Sequence, residues 1–352
     1  MPGTNLIKIQ GKVKAGKIDC LLVTSPMDLL YLTGVDIQGG YWAVITAGKA
    51  FIITSKMLCK QISDLTANAG FEVIESKKFS LTLKSILKAV GIKNLSVDPG
   101  KITWEIKQKL DKSIGKNRIK PVSGFFESLR QVKDENEIRL IKESCAIAAK
   151  VFNAVKKEVK PGITEIQIGN RIMELLYKNG VEPSFTPIVA SGPRASYPHH
   201  VNSANKLNKN DLIIIDMGAK YKGYCSDLTR TIILGKINTF NRRIFSLVKR
   251  AQAKGIAAAR PGVKSISVDK TVRACIKNAG YGSNFLHSTG HGIGLEVHES
   301  PSISAAGKVV LKPGMVITVE PGVYIENNFG VRIEDTVLIT KNGREVLTSD
   351  AK

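Results

Sequence analysis

Asp216 in IIIDMG, Asp227 in CSDLTRT, Glu320 in ITVEPG and Glu334 in VRIEDT each lie in or beside an apolar, β-branched run. His291, inside HSTGHGIGLEVHE at residues 287–299, is the fifth member of the set. Apolar β-branched runs read as strands, and a strand can carry a carboxylate into a protein interior. A buried, ionised carboxylate without a partner is so costly that it takes up a proton instead. Four of them converging on a histidine would repel one another unless cations lay between them. Two divalent ions supply four positive charges against four negative ones, so the set reads as a two-metal site with hydrolysis as its chemistry. Taken singly, Asp216, Glu320 or Glu334 is an ordinary strand-end or turn carboxylate, and TVEPGVY a strand ending in a Pro-Gly turn. The HGIG segment lacks the Lys-Ser/Thr ending of a phosphate loop, and the zinc-protease motif H-E-x-x-H is absent.

An internal repeat says where these residues must lie. KPGITEI at 160–166 recurs as RPGVKSI at 260–266, and the helical patterns that follow run out at Gly180 and Gly280. LNKNDLIIIDMG at 207–218 aligns with LKPGMVITVEPG at 311–322, which sets Asp216 opposite Glu320. DLT and EDT both lead into an apolar strand, so Asp227 corresponds to Glu334, and His199 pairs roughly with His298. Two copies, each donating two acids and a histidine, predict a pseudo-twofold site at their seam. Two copies are too few for a solenoid.

The positioning elements divide near residues 122–130 into an α/β domain over 1–125 and a second domain over 126–352 that carries every candidate ligand. In the first, IDCLLVTS, YWAVITAG and FIITS read as strands, and ISDLTANAG, LTLKSILKAVG and TWEIKQKLDKSIG as helices. PVSGFFESLRQVKDENEIRLIKES then opens a long helix, with Asp134 as N-cap and Glu137 at capping-box spacing. Helix and strand alternate in the second domain, which predicts a mixed sheet covered by helices. A chain of 352 residues is long enough for two cores, and 43% hydrophobic with 23% charged residues is ordinary for a soluble protein.

No apolar run reaches membrane-spanning length, and the N-terminus has no signal-peptide pattern. Cys20, Cys59, Cys145, Cys225 and Cys275 are scattered and form no C-x-x-C, so a reducing, cytoplasmic setting is expected, with the cysteines as small core residues. The formal net charge of +22, densest between Lys101 and Lys120, reads as a lysine-rich solvated surface. No basic run is interleaved with aromatics, which argues against a nucleic-acid partner.

Residues 287–299 together with SDLTRT, TVEPG and RIEDT resemble the signature regions of the pita-bread metallopeptidases, in particular the proline peptidase branch of Xaa-Pro aminopeptidases and Xaa-Pro dipeptidases (prolidases). The resemblance extends over nearly the whole chain, with LLVTSPMDLLYLTGVD like the opening strand-and-turn region of the creatinase/prolidase N-terminal domain. It implies a creatinase/prolidase-like α/β domain followed by an α+β pita-bread domain with an internal pseudo-twofold repeat. It further implies that Asp216 chelates one metal, that Asp227 and Glu334 bridge both, and that His291 and Glu320 complete the other shell. A water bridging the two ions would be the nucleophile on the peptide carbonyl, with Glu320 as its proton acceptor.

His199 and His298 match the family's two non-ligand histidines, which would position the scissile group, stabilise the oxyanion and pass a proton to the departing prolyl nitrogen. His200 is the rival of His199 for that role, and His287 reads as structural. Arg332 matches a family position near the site and would anchor a carboxylate or orient Glu334. Manganese is favoured among Mn²⁺, Fe²⁺, Co²⁺ and Zn²⁺. The expected substrate is a peptide with proline in second position, and the expected assembly a homodimer. Other readings are another pita-bread hydrolase, a methionine aminopeptidase or creatinase-like enzyme, and a catalytically inactive relative that binds partners; a binding module has no need for a complete metal shell.

Overall fold

The computed structural model describes residues 5–37 and 39–351. It is organised as two units, Met1–Ser128 and Leu129–Lys352.

The first unit runs α1 (Leu6–Ala15), β1 (Leu21–Val23), α2 (Pro26–Thr33), β2 (Tyr41–Ile45), β3 (Ala50–Thr54), α3 (Lys56–Thr66), β4 (Glu72–Glu75), α4 (Phe79–Ala89), β5 (Leu95–Val97), α5 (Trp104–Ile114) and β6 (Ile119–Pro121). Its strands form one six-stranded sheet in the order β4-β3-β2-β1-β5-β6. The pairs β1–β2 and β2–β3 are antiparallel, whereas β3–β4 and β5–β6 are parallel. Each of those parallel pairs is connected through a helix, α3 or α5, as a parallel pairing requires. Leu22, Val44, Ile53, Leu83, Leu87, Leu95 and Leu110 fill its core. Two readings shift. The helix expected over 62–70 begins at Lys56 and stops at Thr66, before the turn that ends at Gly70 with φ +78°. The stretch read as strand and turn continues as α2, with Pro26 in its first turn, where a missing N–H costs nothing.

A short helix, α6 (Phe125–Arg130), leads on to α7 (Glu135–Lys156) and α8 (Glu165–Lys178). Asp134 caps α7 with the full capping box to Glu137, and Thr164 caps α8 in the same way with Gln167. Strands β7 (Glu182–Pro183), β8 (Ile188–Ser191), β9 (Leu212–Met217), β10 (Ala219–Tyr221), β11 (Tyr224–Cys225) and β12 (Leu228–Ile233) follow. The second copy supplies α9 (Thr239–Ala258), α10 (Ser265–Lys277), β13 (Gly290–Gly292), β14 (Glu299–Ile303), β15 (Val316–Val319), β16 (Gly322–Ile325), β17 (Phe329–Arg332), β18 (Asp335–Thr340) and β19 (Gly343–Val346).

The repeat is physical. Gly162 N donates to Leu207 O at 2.9 Å and Leu207 N returns to Ile163 O at 2.9 Å; Gly262 N and Leu311 N do the same with Leu311 O at 2.9 Å and Val263 O at 2.8 Å. Strand order is β12-β9-β8 in one copy and β14-β13-β15-β18-β19 in the other, so the β9–β12 pair corresponds to β15–β18. The copies are joined across their seam by Glu334 N donating to Thr229 O at 3.0 Å and Thr336 Oγ1 donating to Asp227 O at 2.7 Å. Each copy has its own apolar filling, with Phe152, Ile168, Ile172, Ile213 and Ile215 in one and Val268, Leu311, Ile317, Val319 and Ile339 in the other.

The mixed sheet expected here is not found. Among the described residues of this unit every strand pairing is antiparallel. The helices of each copy precede its strands in the chain, and β9 returns to β12, and β15 to β18, through smaller hairpins. Among the described residues of this unit no α-helix lies between neighbouring strands, which removes the connection a parallel pair needs.

The two copies differ at one helix start. Thr164 Oγ1 accepts from Gln167 N at 3.2 Å, whereas Lys264, its counterpart before α10, makes no side-chain cap. Thr164→Ala should therefore cost about 1 kcal/mol, seen as a lowered thermal midpoint, while Lys264→Ala leaves the midpoint unchanged. Equal melting of the wild type and Thr164→Ala would show that the cap carries no stability.

Candidate metal centre

Asp216 lies near the end of β9 and Asp227 immediately before β12, while Glu320 immediately follows β15 and Glu334 immediately precedes β18. Each copy thus presents one acid from the end of its outgoing strand and one from the start of its return. Alternation along β9 sends Ile213, Ile215 and Met217 into the core, and Asp216 to the other face with Ile214. Thr229 sits directly across the ladder from Asp216.

His291 occupies the middle of β13, between two glycines with no room for a side chain. A Cβ on Gly290 would lie 2.1 Å from Thr318 O, and one on Gly292 2.3 Å from Ser300 O. His291 N donates to Thr318 Oγ1 at 3.1 Å, and the ring's Nδ1 is 3.1 Å from Gly292 O. A carbonyl at Nδ1 fixes the proton there and leaves the Nε2 lone pair free, the tautomer that binds a metal. Nε2 faces Glu320 Oε1 at 3.5 Å and Asp227 Oδ2 at 3.7 Å. Burial, and His298 beside it, pull the His291 pKa down to about 4, so the ring is a neutral donor.

The acids show the opposite strain. Burial, with Glu334, Asp216 and Glu320 adding their charge, drives the Asp227 pKa well above the carboxylate range. Burial followed by Glu320 and Asp216 does the same to Glu334. Glu320 is pushed up to about 8, chiefly by burial, with Arg332 opposing and Asp216 adding. Asp216 Oδ1, Asp227 Oδ1 and Glu334 Oε1 are buried without a hydrogen-bond partner. Ligand atoms of Asp227, His291 and Glu334 all lie within 4.8 Å of one another. Unpartnered carboxylate oxygens converging on a neutral imidazole form a donor set that fits divalent cations.

All of Asp216, Asp227, Glu320, Glu334, His291, His199, His298 and Arg332 line one cavity of about 590 Å³, with Phe185, Ile188 and Val297 among its apolar walls. Four of the chain's five histidines open onto it. The fifth, His200, turns away, its Nε2 2.8 Å from buried Glu165, which also accepts from Ser191 and Ser203. His298 meets His291 edge-on, with ring centroids 4.3 Å apart. Its neighbour Glu299 is clamped by Arg130 and by Lys133 at 3.3 Å. Burial alone would raise the Glu299 pKa, but Lys133 and Arg130 hold it below the usual range, so it stays a fixed anion beside His298.

Of the two roles expected for Arg332, the structure shows the anchoring of a carboxylate, that of Asp216. Its Nη2 donates to Asp216 Oδ2 at 2.6 Å and its Nη1 to Tyr324 Oη at 3.0 Å and Pro198 O at 3.2 Å. Arg332 reaches Glu334 only through Thr229, whose Oγ1 lies 3.3 Å from Arg332 Nε and donates to Glu334 Oε2 at 2.7 Å. His287, read as structural, stands in the cavity wall, with Nε2 2.9 Å from Tyr324 Oη and Nδ1 3.9 Å from Glu320 Oε2. Tyr324, Thr229 and Thr318 carry no signal in the sequence, because a strand tyrosine or threonine is ordinary until its partner across the fold is known.

Residues 139–341 match the metallopeptidase family M24 domain, and residues 6–132 the creatinase/prolidase N-terminal domain. An Xaa-Pro dipeptidase of Pyrococcus furiosus is 37% identical over 332 residues, covering 94% of this chain and 93% of that protein. The structure of an Xaa-Pro dipeptidase from Bacillus anthracis superposes with a TM-score of 0.94 at 34% identity, over 98% of both chains. That of an X-Pro aminopeptidase from Thermotoga maritima gives 0.88 at 31% identity, covering 96% of this chain and 97% of that one. With the domain spanning more than half of its length and relatives this similar from end to end, the chain belongs to metallopeptidase family M24 and has the creatinase domain and pita-bread fold of the prolidases.

Proposed function

We propose that this chain is a metal-dependent exopeptidase that hydrolyses the Xaa-Pro bond of dipeptides, with catalysis in residues 126–352 and the α/β domain in 1–125. The observation that carries the reading is the group of unpartnered buried oxygens on Asp216, Asp227 and Glu334 facing a neutral His291. The Pyrococcus furiosus and Bacillus anthracis relatives named as dipeptidases support the dipeptide over longer peptides. Asp216, Asp227, His291, Glu320 and Glu334 would hold two divalent ions. Four carboxylates to one imidazole is an oxygen-rich set that favours Mn²⁺, with Co²⁺, Zn²⁺ or Fe²⁺ as alternatives. When bound, the ions would acidify a water and polarise the scissile carbonyl.

The chain's own groups do the rest. Glu320, on the cavity wall beside His291, would accept the proton from the attacking water. His298 and His199, on the cavity wall, position the carbonyl, stabilise its developing charge and deliver a proton to the prolyl nitrogen, a tertiary amide nitrogen that leaves poorly as an anion. Arg332 and Tyr324 hold Asp216 and His287 in register. The cytoplasmic reading rests on five free cysteines, and the homodimer on family resemblance.

Free alanine released from Ala-Pro and from Ala-Pro-Ala by metal-stripped protein restored with Mn²⁺ tests the reading. Ala-Pro should be cleaved, the tripeptide poorly, and Glu334→Ala should lose more than about 100-fold, beyond what loss of an outer partner costs. Cleavage mainly of the tripeptide would make the enzyme an aminopeptidase, and no metal-dependent release from either would sink the proposal.

His199→Gln should lower kcat by about 100-fold or more at little change in KM, whereas His200→Gln should lower the thermal midpoint and keep kcat. The reverse pattern would exchange their roles.

Because the folded protein raises the Glu320 pKa to about 8, the metal-free fold binds more protons than the unfolded chain. Its stability should fall as pH rises from roughly 4.3, the ordinary value, through about 8. Asp227 and Glu334 act in the same direction. Mn²⁺ uptake at pH 6 should release protons and tighten with pH, read by calorimetry in buffers of different ionisation enthalpy; affinity independent of pH would contradict the assignment.

A further inference from the structure

We infer that Arg230 is a positioning residue for the metal centre, fixing Glu334 from the opposite side of the sheet and tying the segment 348–351 to it. The inference rests on the metallopeptidase reading above. Along β12 the side chains alternate: Thr229 turns toward the site and bonds Glu334 Oε2, and Arg230 turns away. Arg230 opens onto a separate cleft of about 600 Å³, shared with Phe152, Phe245, Gln252 and Ala351, none of which lines the metal cavity.

All the donors of its guanidinium are used. Nε donates to Ala351 O at 2.9 Å, and Nη2 to Thr348 O at 2.9 Å and Asp335 Oδ1 at 2.7 Å. Nη1 donates to Thr229 O at 3.1 Å and to Glu334 O. Asp335 is held in turn, by Thr348 Oγ1 at 2.7 Å and by Gln252 Nε2 at 2.6 Å. Glu334 is thereby fixed at every polar atom but one: its N by Thr229 O, its O by Arg230 and its Oε2 by Thr229 Oγ1, leaving Oε1 unpartnered.

Such fixing matters because Glu334 is buried among other acids and would swing away from them before a cation arrives. Arg230 holds the backbone while contributing nothing to the cavity wall. Lysine cannot replace it, since a point charge with three donors cannot span acceptors from three segments at once.

The test uses the full chain as wild type, Arg230→Lys and Thr348→Val, each first shown folded at the assay temperature by circular dichroism. Mn²⁺ is titrated calorimetrically into the metal-stripped proteins, and Ala-Pro hydrolysis is measured at saturating Mn²⁺. Arg230→Lys should weaken Mn²⁺ binding by about 10- to 100-fold, the usual effect of removing an outer partner of a ligand, with KM for Ala-Pro unchanged. Thr348→Val loses only hydroxyl bonds, to Asp335 and Thr336 N, and keeps the carbonyl that Arg230 holds. It should lower the melting temperature and leave Mn²⁺ affinity unchanged. Folded Arg230→Lys that binds Mn²⁺ like the wild type overturns the inference, as does an equal loss in Thr348→Val, which would mark general loosening. If Arg230→Lys does not fold, Asp335→Asn carries the test: weakened Mn²⁺ binding supports the inference, and wild-type affinity overturns it. A wild type that neither binds Mn²⁺ nor cleaves Ala-Pro would instead bring down the metallopeptidase reading, and the inference with it.

Discussion

Mutual repulsion among Asp216, Asp227, Glu320 and Glu334 is the constraint around which the larger unit is built. Carboxylates this close and this buried would separate, or take up protons, if their strands could move. The fold denies them both copies' freedom at once, because each acid sits at a strand end whose partner strand belongs to the same copy and whose neighbour across the seam belongs to the other. The energy that would otherwise spread the acids apart is left in the raised pKa values of Asp227, Glu320 and Glu334. It becomes the driving force for taking up cations.

The groups that aim these acids and His291 are nearly all neutral. Thr229, Thr318 and backbone carbonyls orient Glu334 and His291, and a hydroxyl or carbonyl can do so without cancelling the negative field. Arg332 is the exception, and it is spent on Asp216 and Tyr324. A second cation turned toward the acids would compete with metal for the same oxygens. Arg230 avoids that by working from behind the sheet through main-chain atoms.

What could be read in advance follows from what leaves a mark on one stretch of chain. The duplicated PGI and PGV turns and the aligned IIIDMG and ITVEPG strands announce a repeat, and the seam hydrogen bonds realise it. The capping box at Asp134 and Glu137 is equally local, and it forms. The position of Arg332 near the acids is visible in RIEDT, but its partner Asp216 lies far away in sequence, and only the fold shows which carboxylate it anchors. His199 lines the cavity while His200 is held by buried Glu165, whose interest is invisible in ITEIQ. The sheets are antiparallel where a mixed sheet is expected, because helix-strand alternation records order along the chain and says nothing of which strands become neighbours.

Gly290 and Gly292 flank His291 because the backbones of Thr318 and Ser300 lie against them. Gly290 and Gly292 are thus an imprint of close main-chain packing, while the histidine between them belongs to the candidate metal centre. The two can be uncoupled. A descendant of this fold without the candidate metal centre would still need both glycines to close its sheet, so the glycines mark the architecture, and the imidazole and the four acids the candidate site.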